Sequence, residues 1–89
     1  MMTAVQNQQE EALEKIELGK RIEIAVNGEF QCWDIVPPGE SSIFNNKIST
    51  DSPLIKLIWG LQAGEEACGK IGFRKVVVKI REVYTPTND

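Results

Sequence analysis

The sequence contains no histidine, and this absence excludes several classes of enzyme chemistry. Ser-His-Asp and Cys-His catalysis both need an imidazole base, and histidine is also the commonest metal ligand. Only two cysteines occur, Cys32 and Cys68, both in stretches typical of strands. Without a secretion signal we expect reduced thiols that serve as small core residues. The sequence therefore predicts no catalytic residue, no metal site and no cofactor.

Long apolar runs and an excess of basic charge are missing as well. No stretch approaches the roughly 20 apolar residues of a membrane span, and the polar N-terminus does not resemble a signal peptide. We therefore expect a cytoplasmic protein that does not bind membranes. The 10 basic and 13 acidic residues give a net charge of −3, which argues against nucleic-acid binding by the whole surface. The length of 89 residues, 42% of them hydrophobic, predicts one small domain.

Two hairpins are predicted from the pattern of apolar residues. Residues 20–27 alternate, and Asn27-Gly28 is the strongest short-range hairpin signal, with a return strand over 29–36. Residues 65–71 and 73–84 form the second pair, in which a phase shift between Ile80 and Val83 indicates a bulge. A stripe of basic residues shares one face of the last strand. We interpret it as a solvated sheet face rather than a nucleic-acid surface, since no exposed aromatics are expected between its members, which are Lys75, Lys79 and Arg81.

A short helix is predicted between the hairpins. Ser52 has the character of an N-cap and Pro53 fits the first helical position, while apolar residues recur at helical spacing as far as Leu61. One short helix cannot bury its apolar face alone, so we predict an α+β fold in which an antiparallel sheet curls over it. Trp59 is expected to pack the helix into the sheet, and Trp33 to cover an edge or a face. Residues 1–18 are expected to form an N-terminal helix or lead, 19–84 the domain and 85–89 a mobile tail.

The helix and its approach resemble the C-terminal domain of the bacterial Gre-type transcript-cleavage factors, GreA and GreB. In that family an Ile-Ser-x-x-Ser-Pro run leads into a short helix and a glycine, followed by a second glycine and an acid. The resemblance extends over about residues 18–84, through the flanking strands. The matching positions are Ile48, Ser49, Ser52, Pro53, Gly60, Gly64 and Glu65.

This resemblance implies an FKBP-like fold and an RNA-polymerase partner. In the family, the domain grips the coiled coil at the rim of the polymerase secondary channel. The implied partner-binding residues are Asp51, Ser52 and Pro53, with Lys56 flanking them. Asp51 would pair with a basic partner residue, Pro53 would give apolar contact and rigidity, and Ser52 would hold the helix start.

Transcript cleavage is not expected. Gre factors place the acidic tip of an N-terminal helical hairpin at the reaction centre, and about 18 residues allow one helix without an antiparallel return. Glu10, Glu11 and Glu14 are interpreted as a solvated helix face rather than as metal ligands. The predicted module would modulate elongation without chemistry. Two alternatives stay open: a small prolyl isomerase, which the FK506-binding fold suggests, and a general interaction module that dimerises through the N-terminal helix or the sheet edge.

Overall fold

The computed structural model of the chain describes residues 14–86, which form one sheet and one short α-helix. The elements in chain order are β1 (Arg21–Val26), β2 (Glu29–Val36), a 3-10 turn (Ile43–Asn45), β3 (Lys47–Ser49), α1 (Pro53–Ile58), β4 (Glu66–Ile71) and β5 (Arg74–Tyr84). The strands lie in the order β3-β2-β1-β5-β4, and the curled sheet packs one face against α1. This arrangement confirms the predicted α+β class.

The sheet is mixed, which corrects the prediction that it is antiparallel throughout. β1 pairs antiparallel with β2 and β5, and β4 with β5, whereas β3 runs parallel to β2. Residues 37–46 return the chain to the C-terminal end of β2, where the Asp34 N–H donates to the Asn46 carbonyl at 2.8 Å. The direction of β3 could not be predicted, because the alternation of side chains indicates the faces of a strand and not its direction.

The hairpin turn and the bulge both follow the sequence prediction. Asn27 and Gly28 have φ angles of 50° and 89°, the left-handed region that a two-residue hairpin turn of this kind requires. On the other side of β1, Glu23 pairs with Glu82 and Ile24 with Ile80, so Arg81 is an extra residue in β5. This β-bulge lets residues on both sides of it keep their apolar side chains towards the core.

Isoleucine dominates the core between the sheet and α1. The fully buried side chains come from both long strand pairs, from α1 and from the segment before β1; they are Ile16, Ile22, Ile24, Ile35, Ile55, Ile58 and Val78. Close packing of these branched side chains is the main favourable contribution to the stability of the domain. The core therefore extends further towards the N-terminus than residues 19–84.

The N-terminal lead is anchored where it can be described. The Ile16 N–H donates to the Leu61 carbonyl at 2.9 Å, and the Gly60 N–H donates to the Ile16 carbonyl at 2.9 Å. Residues 14–18 form a bridge and a turn. The rest of the predicted lead, residues 1–13, lies outside the described residues, as do residues 87–89 of the predicted tail. Within that tail, Thr85 accepts a hydrogen bond from the Lys20 ammonium at 2.8 Å.

Three predicted core positions are more exposed than expected. Both Cys32 and Cys68 are exposed, because they lie on the face of the sheet directed away from α1. Trp59 is 48% exposed, since the helix ends at Ile58 and Trp59 follows as its C-cap. Trp33 packs against the core as predicted. Within residues 14–86 no helix has the length and apolarity needed to cross a bilayer.

Candidate functional site

Residues 50–53, called the corner below, lead from the end of β3 to Pro53, the first residue of α1. The Thr50 N–H donates to the Val36 carbonyl at 3.0 Å where the chain leaves the sheet. The Ser52 N–H donates to the Ser49 carbonyl at 3.1 Å and closes a tight turn. The backbone of the corner is therefore hydrogen-bonded to the ends of β2 and β3, which fixes its position relative to the sheet.

Ser52 is the N-cap of α1, as predicted. Its backbone is extended, with φ −66° and ψ 139°, and Pro53 occupies the first turn, where its missing N–H leaves no helical hydrogen bond unmade. The Ser52 carbonyl accepts the first helical hydrogen bond from the Lys56 N–H at 2.9 Å. The Ser52 hydroxyl makes no capping bond, so Ser52 contributes to the helix start through its backbone carbonyl, together with Pro53.

Asp51 is held by Ser49, a residue of the family pattern that was not among the implied partner-binding residues. The hydroxyl of Ser49, which is 7% exposed, donates a short hydrogen bond to Asp51 Oδ1. Serine and aspartate two positions apart are typical of such local side-chain bonds, so the spacing was the available signal. The bond leaves Asp51 exposed while restricting the orientation of its carboxylate.

The candidate residues together form a projecting surface rather than a pocket. Asp51, Pro53 and Lys56 are exposed, and Ser52 is half-buried between them. Four surface cavities of about 290–510 Å³ open on the strands instead, and none of the four is lined by a corner residue. A carboxylate, a proline ring and an ammonium one helical turn away thus offer a partner one negative, one apolar and one positive contact.

Residues 14–86 contain no cluster of three or more histidine, cysteine, aspartate or glutamate side chains able to hold a metal ion. Of the three glutamates considered in the sequence, Glu10 and Glu11 lie outside the described part of the chain. Glu14 accepts a hydrogen bond from Lys20 Nζ at 2.8 Å, and this bond lowers the pKa of its carboxyl. Glu14, the one of the three that lies within the described residues, therefore forms an ion pair with Lys20.

The outer face of the sheet, directed away from α1, is solvated as predicted, but it does carry an exposed aromatic. Lys75, Lys79 and Arg81 are all exposed. Phe30 on β2 is 72% exposed, and the Arg81 guanidinium lies 4.7 Å from the centre of its ring. Arg81 reaches the ring across β1, on which the residue paired with Phe30 is the small Ala25. The expectation of a face without aromatics is therefore wrong at this position.

Residues 14–86 thus define a small α+β half-barrel domain whose candidate site is a surface projection at one end of the sheet. Comparison with known families identifies it. The model of the family described as transcription elongation factor, GreA/GreB, C-terminal, matches residues 9–85. The chain belongs to this family.

Individual relatives agree with the family match. The transcription elongation factor GreA of Bacillus licheniformis is 33% identical over 70 residues, which are 76% of this chain and 44% of that protein. The crystal structure of Thermus aquaticus Gfh1 has a TM-score of 0.69 at 28% identity, over 81% of this chain and 49% of that one. The GreA/GreB factor from Nitrosomonas europaea has a TM-score of 0.60 at 25% identity, over 82% and 61%. The chain spans about half the length of these relatives.

Proposed function

We propose that this domain docks on RNA polymerase through the corner and modulates transcription elongation without cleaving the transcript. The docking site is the coiled coil at the rim of the secondary channel, which the resemblance to Gre-type C-terminal domains implies. Asp51 pairs with a basic residue of the polymerase, Pro53 contributes apolar contact, and Lys56 flanks them. The domain is a transcription-elongation-factor-like module by family; the polymerase contact and its residues are our proposal.

The observation that carries the proposal is the ordered but exposed state of Asp51 and Pro53. Asp51 is exposed while its carboxylate is already bonded to Ser49, and Pro53 is exposed with its φ fixed by the ring. Groups that are held in place before binding lose little conformational entropy when a partner arrives. The corner therefore has the properties of a preorganised protein contact.

The chemistry of the corner supports a role in docking rather than in RNA hydrolysis. Asp51 is its single acid, and the neighbouring groups are the hydroxyls of Thr50 and Ser52, the ring of Pro53 and the ammonium of Lys56. Metal-assisted hydrolysis of a phosphodiester needs several oxygen ligands around Mg²⁺, which this set does not supply. We expect stalled elongation complexes to keep their transcripts intact when the purified chain is added, and to be cleaved more slowly when it competes with an active cleavage factor.

The docking proposal is tested by retention of tagged protein on immobilised polymerase. We expect Asp51→Arg to abolish retention, because it places a positive charge against a basic partner residue. Pro53→Ala should weaken retention several-fold while leaving the domain folded. Two matched controls lie elsewhere on the surface: Glu29→Arg reverses a charge at the opposite end of the sheet, and Pro38→Ala removes an exposed proline.

Both controls should bind like the wild-type chain. Equal retention of Asp51→Arg and Glu29→Arg would show that the corner is not the contact. Circular dichroism on all four variants separates a lost contact from a lost fold.

A further inference from the structure

The two edges of the sheet differ in how their backbone groups are used. At the β3 edge, the N–H and C=O of Lys47 both bond to Ser42, at 2.8 and 2.9 Å, and the Ser49 carbonyl accepts from Ser52. At the other edge lies β4, which pairs with β5 on one side. Within residues 14–86 no strand lies on the other side of β4. A free strand edge is a template for pairing with another chain.

The hydrogen bonds of β5 show which residues of β4 face the free edge. Val77 directs its backbone towards β1, since its carbonyl accepts from the Asn27 N–H and its own N–H donates to Asn27 Oδ1, both at 2.9 Å. Val77 therefore makes no backbone bond to Cys68, its antiparallel partner on β4. Cys68 must then point its N–H and C=O outwards. By the two-residue period of a strand, Glu66 and Lys70 do the same.

The outward-facing residues have a sequence that is complementary to itself. Glu66, Cys68 and Lys70 all lie on the outer face, and all three side chains are exposed. If two such strands meet antiparallel about an axis through Cys68, each Glu66 lies opposite Lys70 of the second copy. We propose that β4 pairs in this register with β4 of a second copy of this chain, so that two half-barrels share one continuous ten-stranded sheet.

The register also relieves an unfavourable contact in the isolated domain. Lys70 lies directly opposite Lys75 in the β4–β5 pair, and like charges at such positions destabilise a sheet. Neither lysine takes part in the two ion pairs found among residues 14–86, which are Lys20–Glu14 and Arg21–Asp34. In the proposed dimer, Glu66 of the second copy lies on the open side of Lys70. Because Glu66 pairs with Lys79 on β5, the row across the interface becomes Lys75, Lys70, Glu66 of the second copy and Lys79 of the second copy. Lys70 then has a carboxylate on one side, and that carboxylate lies between two ammonium groups.

Small residues on the inner face of β4 allow the approach. Ala67 and Gly69 point towards α1, and in the proposed register each Ala67 lies opposite Gly69 of the second copy. Leu57 of α1 covers Gly69 and is partly exposed. In the proposed dimer, the two Leu57 side chains therefore lie on either side of the axis on the inner face and add apolar contact. The charged pairs lie on either side of it on the outer face.

A charge-swap experiment tests the register. In a homodimer of either single variant, Glu66→Lys or Lys70→Glu, residues 66 and 70 carry the same charge and face each other at two symmetric positions. We therefore expect the dissociation constant of each homodimer to rise about tenfold or more. An equimolar mixture of the two variants restores both opposite-charge pairs and should dimerise like the wild type. Sedimentation equilibrium from micromolar to millimolar protein measures all three samples. Failure of the mixture to associate, with the wild type dimeric, would overturn the register.

A thiol cross-link tests the axis. Residues opposite each other in a bonded antiparallel pair have Cα atoms about 5.5 Å apart, within the roughly 4.4–6.8 Å range of disulfides. Diamide takes up the two hydrogens released when two Cys68 thiols become one disulfide. We expect Cys32→Ser to cross-link and Cys68→Ser to remain uncross-linked, because β2 lies inside the sheet between β1 and β3. Burial and the nearby Glu23 raise the pKa of the Cys32 thiol, so both thiols are first titrated with a single-ended maleimide to compare reactivity.

A wild-type chain that stays monomeric up to millimolar concentration would overturn the proposal, as would cross-linking through Cys32 at the rate of Cys68. These outcomes are independent of the docking proposal. The corner follows β3, at the opposite edge of the sheet from β4. Glu66→Lys should therefore bind polymerase like the wild-type chain whether or not it dimerises.

Discussion

Leu57 fills the space that a side chain at position 69 would need. A Cβ placed on Gly69 would come within 2.6 Å of Leu57 Cδ1, closer than two carbon atoms can approach. This contact joins α1 to β4, the strand on which the helix packs. A side chain at position 69 would therefore have to displace the end of Leu57, while the backbone of Gly69 is ordinary extended strand.

Gly69→Ala should lower the free energy of unfolding by about 1 kcal/mol, because the strain of displacing Leu57 exceeds the gain from a residue with less freedom in the unfolded chain. Urea denaturation at low micromolar concentration measures the change. The matched test repeats the substitution in a Leu57→Val background, where the shortened side chain leaves room. An unchanged cost in that background would show that Leu57 is not the source of the strain.

Ile16 should behave as a core residue although it precedes the first strand. It is fully buried and bonded to Leu61 and Gly60 through its backbone. We expect Ile16→Ala to cost about 3 kcal/mol, similar to Ile58→Ala in α1, because both leave a cavity in the same cluster. Leu18→Ala, at a side chain 53% exposed, should cost much less. A small effect at Ile16 would mean that the segment before β1 is not part of the cooperative unit.

Arg21 and Asp34 make stability depend on acid. Arg21 Nε and Nη2 donate to the two carboxylate oxygens of Asp34, at 2.5 and 3.1 Å. These bonds hold the pKa of Asp34 below its ordinary value, with burial opposing the shift. A carboxyl with a lowered folded pKa stabilises the fold above its unfolded pKa, near about 4, and loses that contribution as pH falls through the folded value.

Asp34→Asn should therefore be less stable than the wild type at pH 7, and the difference should shrink as pH falls from the unfolded pKa, about 4, through the lower folded pKa of the wild-type carboxyl. Urea midpoints across the acid range measure this convergence. Glu40→Gln, at an exposed acid in the loop after β2, is the control and should show little difference at either pH. A gap for Asp34→Asn that is independent of pH would indicate a packing effect rather than a charge effect.

Arg81 and Phe30 should be energetically coupled across β1. The guanidinium lies over the exposed ring at 4.7 Å, which is the geometry of a cation–π contact. A double-mutant cycle with Arg81→Ala and Phe30→Leu should give a coupling of about 0.5–1 kcal/mol, the range for exposed pairs. The same cycle with Lys79→Ala in place of Arg81→Ala should give almost none. Equal coupling in both cycles would indicate a general effect of charge on this face.

The elements that local chemistry determines were predicted well. Asn27-Gly28 specifies a two-residue turn, Ser52-Pro53 a helix start, and the phase shift before Val83 a bulge, because each depends on a few neighbouring residues. The turn before α1 was predicted from the same local pattern, whereas its candidate partner-binding residues came from the resemblance to the Gre family and remain a prediction. The hydrogen bond from Ser49 to Asp51, which holds the carboxylate, was not predicted. The spacing of the two residues was the available signal, but the path of the turn decides whether the bond forms.

The errors fall where distant segments meet. The parallel pairing of β3 depends on how residues 37–46 travel, and Ile16 becomes buried only because the end of α1 passes beside it. The cysteines were assigned to the core from residue type, but strand register decides which face each occupies. The ring of Phe30 likewise meets Arg81 only because the bulge brings an extra residue to the outer face. None of these contacts has a signature within its own stretch of sequence.

The short segment around Ser42 has a consequence for how large any assembly can become. By occupying the backbone of Lys47, it leaves β4 as the one edge of the sheet, among residues 14–86, on which another strand can be added. A molecule that can be extended from both sides polymerises, whereas one with a single available side stops at a closed pair. Loss of the hydrogen bonds between Ser42 and Lys47 would expose β3 as a second free edge. Copies of the chain that pair at both edges could then form filaments.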